Sequence, residues 1–248
     1  MTAVAASSER LKAIAGPLLT VVGRCLLRGL PVPRWGNLRR VRPFSERYGF
    51  DRGTPIDRYY LDAFLRANQA SITGRVLEAQ LPSYTKRFGL GVEESHSVDI
   101  NPQFGATYTC DLADAPEIPS DYYDCFLLPN TLQHIEALRP ALQTILRVTK
   151  RGGTILASAG GFLPLIPDGG DFWRLSAQGW RRLLGDEWPG CEIAVESHGN
   201  CLAAIAAMHG LAKPIPSMCR LRRRSRSVGT RNTVIRSGHA GVYSRRSY

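Results

Sequence analysis

Short apolar runs that end at an acidic residue recur in the first half of the chain. One run leads to Glu78, a second contains Asp99, and a β-type segment over residues 106–110 is followed by Asp111. Loop and helix-like spacers separate these runs. Because parallel α/β sheets bind ligands beyond the carboxyl ends of their strands, the acids should line one crevice. The pattern therefore predicts a doubly wound α/β sheet.

Later segments continue the alternation of helix and strand. Segment 57–68 repeats apolar residues at helical spacing, and run 123–128 is almost wholly apolar, as expected at the centre of a sheet. The other predicted elements are a helix over 135–149, a strand over 154–158, a helix over 176–184 with Ser176 as N-cap, and a strand over 191–195. Residues 150–153, with Gly152 and Gly153, would cap the first of these helices. Together they predict helices on both faces of the sheet.

Charge is distributed unevenly along the chain. The net charge is +11, but residues 46–199 carry 14 Lys and Arg against 20 acids. Residues 1–45 carry eight basic residues and one acid, and residues 200–248 carry ten and none. The basic excess therefore lies in the flanks, and it says little about the ligand of the acidic central segment.

The N-terminal segment 11–30 is apolar, but Gly, Pro and Arg interrupt it. It is too short and too charged for a membrane span, and it lacks the cleavage pattern of a signal peptide. We expect an amphipathic helix that packs on its own domain. The alternative is a basic interfacial helix in weak contact with anionic lipid.

The six cysteines form no C-x-x-C pair and have no His at the spacing of metal ligands. Cys110, Cys125 and Cys191 fall in apolar strand-like runs, where a free Cys behaves as a small hydrophobic residue. We expect reduced thiols, no metal site and a cytoplasmic protein. Disulfides or a metal remain the alternatives.

Four further segments occur in an order typical of one enzyme family. They are GTPIDRYY at 53–60, NTLQHI at 130–135, RGG at 151–153 and DFWRL at 171–175. With the acid-ended strands, they resemble class I S-adenosylmethionine-dependent methyltransferases, in particular the methyltransferase type 11-like proteins of a bacterial branch found in glycan and secondary-metabolite pathways. The resemblance implies a Rossmann-like sheet and S-adenosylmethionine as cofactor.

The resemblance covers residues 43–211, which we expect to form the methyltransferase domain. Residues 1–42 would be a basic extension and residues 212–248 a basic, largely disordered tail, rich in Arg, Ser and Gly. Relatives close the sheet with a final antiparallel strand, for which the tail offers only a poor equivalent at 233–235. We therefore expect an incomplete sheet edge. The tail either binds RNA or membrane, or is a divergent terminus without a role.

The resemblance places the cofactor's methionyl group at Glu78, Ala79 and Gln80. Glu78 would bind the amino group, directly or through water; its alternative is to cap the following turn. Relatives carry a glycine where Gln80 lies, because the backbone there approaches the donor closely. Gln80 and the nearby Pro82 are the main departures from the family pattern, and they bring the donor's affinity and the activity into question.

The nucleoside part of the cofactor is assigned to the next two acids. Asp99, followed by Ile100, resembles the residue that accepts hydrogen bonds from the ribose hydroxyls. Asp111 would take the exocyclic amine of adenine, and Leu112 would contact the ring. The alternative for both carboxylates is that they stabilise local turns.

The resemblance places Asn130 and His134 near the transferring methyl group. His134 would act as a general base on an acceptor hydroxyl, or else serve as a surface or capping residue. Trp173 and Arg174 would close the acceptor pocket, with Arg174 binding an anionic or sugar-bearing substrate. Alternatively, Trp173 packs beneath a loop over 160–170 and Arg174 pairs with Asp171.

The resemblance implies methyl transfer to a small molecule or glycan, and we expect oxygen as the acceptor atom. A second hypothesis is a catalytically degenerate binding or scaffold protein, suggested by Gln80 and the poor last strand. A third is an RNA methyltransferase that uses the basic flanks; the acidic centre and the absence of an N/D-P-P-Y-type motif argue against nucleic acid. A dinucleotide is disfavoured because the chain lacks G-x-G-x-x-G.

Overall fold

A computed structural model describes residues 36, 40–165, 170–213 and 231–236, the last strand by its backbone alone. Five α-helices are found in this part of the chain: α1 Ile56–Ala67, α2 Ser83–Phe88, α3 Leu138–Val148, α4 Ala177–Glu187 and α5 Cys201–Met208. The strands are β1 Thr54–Pro55, β2 Gly74–Ala79, β3 Val92–Asp99, β4 Tyr108–Thr109, β5 Tyr123–Leu128, β6 Thr149–Ala159, β7 Glu192–Ser197, β8 Ala212–Lys213 and β9 Arg231–Arg236.

Seven strands form the main sheet in the order β4-β3-β2-β5-β6-β9-β7, and β1 pairs with β8 in a separate two-stranded sheet. Strands β4, β3, β2, β5 and β6 pair in parallel. Strand β9 is antiparallel to both β6 and β7. Successive strands are added on one side of β2 (β3, β4) and then on the other side (β5, β6). The topological switch point, where α/β proteins bind ligands, therefore lies between β2 and β5.

Apolar residues cover both faces of the sheet, as the sequence predicted. On one face the largest cluster of buried residues includes Leu142 of α3 and Leu184 of α4. On the other face, Leu61 of α1 and Phe88 of α2 belong to a second cluster. Strand β5, with Cys125 to Leu128 no more than 1% exposed, lies between the two. The doubly wound, Rossmann-like α/β fold that the sequence predicted is therefore confirmed.

The final antiparallel strand, for which the sequence offered only a poor equivalent, is present. Strand β9 pairs Ile235 with Ile155 of β6 and with Ile193 of β7. The prediction of a missing strand was wrong. Strand β9 lies between two strands whose edges would otherwise be unpaired, so backbone pairing on both sides stabilises it although its apolar run is short. Residues 214–230 and 237–248 of the predicted tail lie outside the described residues.

The boundary between α3 and β6 differs from the prediction. Helix α3 ends at Val148 and the strand begins at once, because Thr149 pairs with Tyr123. Gly152 has the expected positive φ of 82°, but it lies in an irregular stretch of β6 and not at a helix end. The predicted N-cap of α4 is confirmed, since Ser176 Oγ accepts the N–H of Gly179 at 3.0 Å.

The N-terminal helix predicted over 11–30 lies outside the described residues. Among the helices that are described, none has both the length and the apolar character that crossing a bilayer requires.

Candidate active site

A cavity of about 470 Å³ lies at the carboxyl ends of the parallel strands. Its volume is in the range of small-molecule sites. Eight of the eleven residues predicted from the sequence line it: Ala79, Gln80, Asp99, Ile100, Asp111, Leu112, Asn130 and His134. The structure thus brings the residues assigned to the cofactor into one place, with Glu78 as the exception. We call this space the donor cavity.

Asp99 and Asp111 each use one carboxylate oxygen in a local turn. Asp99 Oδ1 accepts the N–H of Asn101 at 2.6 Å, and Asp111 Oδ1 accepts the N–H of Ala113 at 2.8 Å. Within the described part of the chain, the second oxygen of each has no hydrogen bond. The turn role and the ligand role are therefore compatible, because each carboxylate keeps one oxygen available at the cavity.

Glu78 lies beneath the cavity and does not line it. Its side chain is fully buried, and its carboxylate accepts hydrogen bonds from Tyr84 N at 3.0 Å and from Thr85 N and Oγ1, both at 2.7 Å. Burial raises the pKa of Glu78, although these hydrogen bonds act in the opposite direction. The geometry favours the capping alternative, because the carboxylate holds the first turn of α2 against the end of β2.

Gln80 occupies the position where the resemblance expected glycine, and its backbone has the corresponding conformation. Its φ is 76°, which is unusual for a residue with a Cβ atom. The N–H of Gln80 donates to Val98 O at 2.8 Å, so the turn is fixed between β2 and β3. The exposed Gln80 side chain stands at the edge of the donor cavity. Backbone strain is therefore built into the loop beside the proposed donor site.

Asn130 shapes the turn after β5. Its φ of 52° is left-handed, a conformation that Asn tolerates better than most residues. The Nδ2 group donates to Asp57 Oδ2 at 2.8 Å, and Oδ1 accepts the hydroxyl of Ser158 at 2.9 Å. The Asn130 side chain thus ties α1 and β6 together at the cavity wall.

His134 lies between the donor cavity and a second, smaller cavity of about 230 Å³, both of which it lines. Its Nδ1 atom hydrogen-bonds to the carbonyl oxygen of Gly170. Because a carbonyl only accepts, Nδ1 carries the proton and Nε2 is the acceptor of the neutral ring. Gln133 Nε2 lies 3.3 Å from this His134 Nε2. We call the smaller space the acceptor chamber.

Trp173 and Arg174, predicted as substrate residues, both make internal contacts. Trp173 Nε1 donates to Ile135 O at 2.7 Å, and Trp173 packs against the larger core cluster. Arg174 pairs with Asp171, with Nε 3.1 Å from Oδ1, and also donates to Leu163 O at 2.6 Å. Arg174 lines the acceptor chamber, and Trp173 does not.

Four residues of the site had no role assigned from the sequence. Asp57, only 9% exposed, and Arg58 begin α1 and line the acceptor chamber. Phe172 lines the donor cavity, and buried Gln133 lines the chamber. The available signal was an acid and an arginine at the start of an amphipathic helix; the sequence holds no comparable signal for Gln133.

The structure describes four cysteines, Cys110, Cys125, Cys191 and Cys201, and all are free thiols. Cys110 lines the donor cavity, and burial raises the pKa of its thiol to about 12. It is therefore protonated at neutral pH and acts as a small apolar group. In the described residues, His, Cys, Asp and Glu form no cluster of three or more that could hold a metal ion.

Comparison with known proteins gives one family match. The family described as a methyltransferase domain matches residues 83–157, which run from α2 into β6. No curated protein sequence matches the chain.

Two solved structures illustrate the similarity. An S-adenosylmethionine-dependent methyltransferase from Archaeoglobus fulgidus is 15% identical with a TM-score of 0.49, over 72% of this chain and 94% of that one. One from Mesorhizobium loti is 16% identical with a TM-score of 0.49, over 76% and 100%. The family match supports S-adenosylmethionine as the cofactor. The chain thus has a Rossmann-like α/β fold, and its residues 83–157 match the methyltransferase domain family.

Proposed function

We propose that this protein transfers a methyl group from S-adenosylmethionine to a hydroxyl of a small molecule or glycan. The observation that carries the proposal is the pair of available carboxylate oxygens, on Asp99 and Asp111, at one cavity. A nucleoside offers matching donors, since its ribose hydroxyls suit Asp99 and its exocyclic amine suits Asp111. Leu112, buried beside them, supplies an apolar wall.

S-adenosylmethionine, when bound, supplies an activated methyl group on a sulfonium. The protein then has to bind this donor, align the acceptor and exclude water. The wall shared by the two cavities includes Arg58, Asn130 and His134. A hydroxyl held in the acceptor chamber would therefore lie next to the donor cavity.

His134 is suited to take the acceptor's proton. Its Nδ1–H is fixed on Gly170 O, so the ring is held with Nε2 as the basic nitrogen. Gln133 Nε2 lies 3.3 Å from that nitrogen, so the acceptor hydroxyl would replace the Gln133 amide as its partner. A general base in this position contributes roughly 10²–10⁴-fold to turnover in enzymes.

Calorimetric titration with S-adenosylmethionine and S-adenosylhomocysteine tests the proposal. Micromolar binding by the unaltered protein, abolished in Asp99→Ala, is the expected result. The matched control is Glu93→Ala, which removes an exposed carboxylate from the same strand, away from the cavity. Equal heats for Asp99→Ala and the unaltered protein would contradict the assignment of the ribose site.

A second candidate is a binding protein that keeps the fold without the activity. The positive φ of Gln80 favours it, because a Cβ atom and a long side chain stand where the donor's methionyl group should approach. A well-folded protein that takes up neither S-adenosylmethionine nor S-adenosylhomocysteine would establish this alternative. We further propose that the protein belongs to a glycan or secondary-metabolite pathway and works in the cytoplasm, where its thiols stay reduced.

A further inference from the structure

The carboxylate of Asp57 has one engaged and one available oxygen. Oδ2 accepts a hydrogen bond from Asn130 Nδ2 at 2.8 Å and lies 3.4 Å from Arg58 Nε. Oδ1 makes no hydrogen bond within the described part of the chain, and it is not one of the inaccessible atoms that lack a partner there, so it keeps accessible surface. Because Asp57 lines the acceptor chamber and its side chain is otherwise buried, the chamber is where a ligand would reach this oxygen.

The contacts of Asn130 hold the Asp57 carboxylate in this orientation. Asn130 N donates to Ser158 Oγ at 2.9 Å, and the Ser158 hydroxyl in turn donates to Asn130 Oδ1 at 2.9 Å. A turned amide would place Oδ1 of Asn130 against the Asp57 carboxylate, which only accepts hydrogen bonds. Oδ2 of Asp57 is thereby committed to Asn130, and Oδ1 is the oxygen left for a ligand.

The Arg58 guanidinium beside Asp57 determines which donor suits this oxygen. Arg58 lines both cavities, and its Nη1 group donates to Tyr84 Oη at 3.1 Å, which holds the cation in place. An ammonium group at Asp57 would lie near this second positive charge, whereas a carboxylate or a ketone would bring no proton to donate. A neutral hydroxyl donates to the carboxylate oxygen without either penalty.

The hydroxyl that is methylated cannot be this donor. It has a single proton, which the proposed reaction passes to His134 Nε2, the basic nitrogen of the ring. A hydrogen bond to Asp57 Oδ1 therefore requires a second hydroxyl on the acceptor. Asp57 and His134 line the same chamber of about 230 Å³, so a molecule that fills it contacts both.

We propose that Asp57 is a specificity-determining residue for acceptors with at least two hydroxyls: one hydroxyl faces His134, and the second donates to Asp57 Oδ1. The inference rests on the proposed function and deepens it, because it names the acceptor as a diol or polyol, such as a sugar. The second hydroxyl keeps its proton and is not methylated. The expected preference for it is about tenfold to hundredfold, the usual contribution of a hydrogen bond to a charged group.

Four fragments that share one ring and one hydroxyl test this proposal: cis-1,2-cyclohexanediol, cis-2-fluorocyclohexanol, 2-hydroxycyclohexanone and cis-2-aminocyclohexanol. The fluorine atom is close to a hydroxyl in size but has no proton to donate. Each fragment is titrated into the protein saturated with S-adenosylhomocysteine. The dissociation constants are taken from ¹H–¹⁵N NMR shifts, including those of the Asn130 side-chain amide, which contacts Asp57.

Asp57→Asn changes the chamber wall at constant size. Asn130 Nδ2 should hold the carbonyl oxygen of the new amide, so that an NH₂ group replaces the accepting oxygen at the chamber. Asp62→Asn is the matched control, because Asp62 lies on the same helix and pairs with Arg87 at the surface, away from both cavities.

The expected result is that the diol binds at least about tenfold more tightly than the other three fragments and shifts the Asn130 amide signal. The preference should vanish in Asp57→Asn and persist in Asp62→Asn. Equal binding of the diol and the fluoro alcohol by the unaltered protein overturns the proposal, as does an unchanged preference in Asp57→Asn. Tighter binding of the amine, or failure of the diol to bind at millimolar concentration, also overturns it.

The comparison of the diol with the fluoro alcohol needs no variant, so it holds even if Asp57→Asn does not fold. Failure of this inference is distinguishable from failure of the proposed function. If S-adenosylhomocysteine binds but the diol is not preferred, only the role of Asp57 is lost. If S-adenosylhomocysteine does not bind, the methyltransferase proposal fails, and the fragment preference is measured without it.

Discussion

Replacing Gln80 by glycine should stabilise the protein. An L-residue with φ near 76° carries about 1–2 kcal/mol of backbone strain, which glycine does not. Glycine also has a more flexible unfolded chain, which costs about 0.5–1 kcal/mol. The difference leaves a net gain of about 0.5–1 kcal/mol in the free energy of unfolding, or about 1–4 °C in Tm for a chain of this size.

Gln80→Ala is the matched control, because it removes the side chain but keeps the Cβ atom and the strain. Thermal and urea unfolding of the two variants separate the contributions, since only Gln80→Gly should gain stability. If Gln80→Ala gains as much, or if Gln80→Gly is less stable than the unaltered protein, the strain argument is refuted. If the donor site is as proposed, Gln80→Gly should also bind S-adenosylmethionine more tightly in calorimetry, because the Cβ atom no longer narrows the cavity.

Three further substitutions test other parts of the structure. Glu78→Gln should lower the free energy of unfolding by about 1–3 kcal/mol at neutral pH, because the carboxylate's three donors lose a full set of acceptors, whereas Glu93→Gln on the surface should be neutral. Burial raises the pKa of Glu78 above 4.5, so between the unfolded and the folded pKa the folded state retains a proton that the unfolded state has lost. The free energy of unfolding should therefore fall as pH rises between these two pKa values. Glu78→Gln should lack that pH dependence in urea titrations at several pH values. Gly74→Ala should lower the free energy of unfolding by about 2–3 kcal/mol, because φ is 65° and the new Cβ would lie 2.6 Å from Asp124 Oδ2. Gly185→Ala is the control, because its Cβ meets open space and should not destabilise α4. Equal melting temperatures of the two variants would contradict the account. His134→Ala should reduce methyl transfer by roughly 10²–10⁴-fold with unchanged heat of S-adenosylmethionine binding, and full turnover would remove His134 from the mechanism.

The parts of the fold that the sequence predicted are those where local pattern and packing agree. The apolar run of β5 is buried on both faces, and the acids at Asp99 and Asp111 follow strands whose ends meet at the same edge. The sequence also indicated the conformation of Gln80, because the resemblance implied a glycine at that position and the structure has a positive φ there.

The remaining features depend on neighbours that are distant in sequence. Strand β9 is identified only by its pairing with the two strands that flank it. The sequence favoured ligand binding for Glu78, with capping as the alternative, and only the fold shows that Thr85 occupies its carboxylate. Gln133 has an unremarkable sequence context. The orientation of its amide follows from the tautomer of His134, which is set by Gly170, 36 residues away.

The position of β9 has a consequence for the order of folding. Among the described residues, β7 pairs only with β9, and more than 70 residues separate β9 from β6, its other partner. Closing so long a loop is slow, so this margin of the sheet should assemble late. Strand β3, which ends at Asp99, and strand β4, which precedes Asp111, lie on the opposite side and are joined by a short connection. The half that carries the proposed nucleoside site is therefore free to form as an early folding unit, ahead of the margin that completes the sheet.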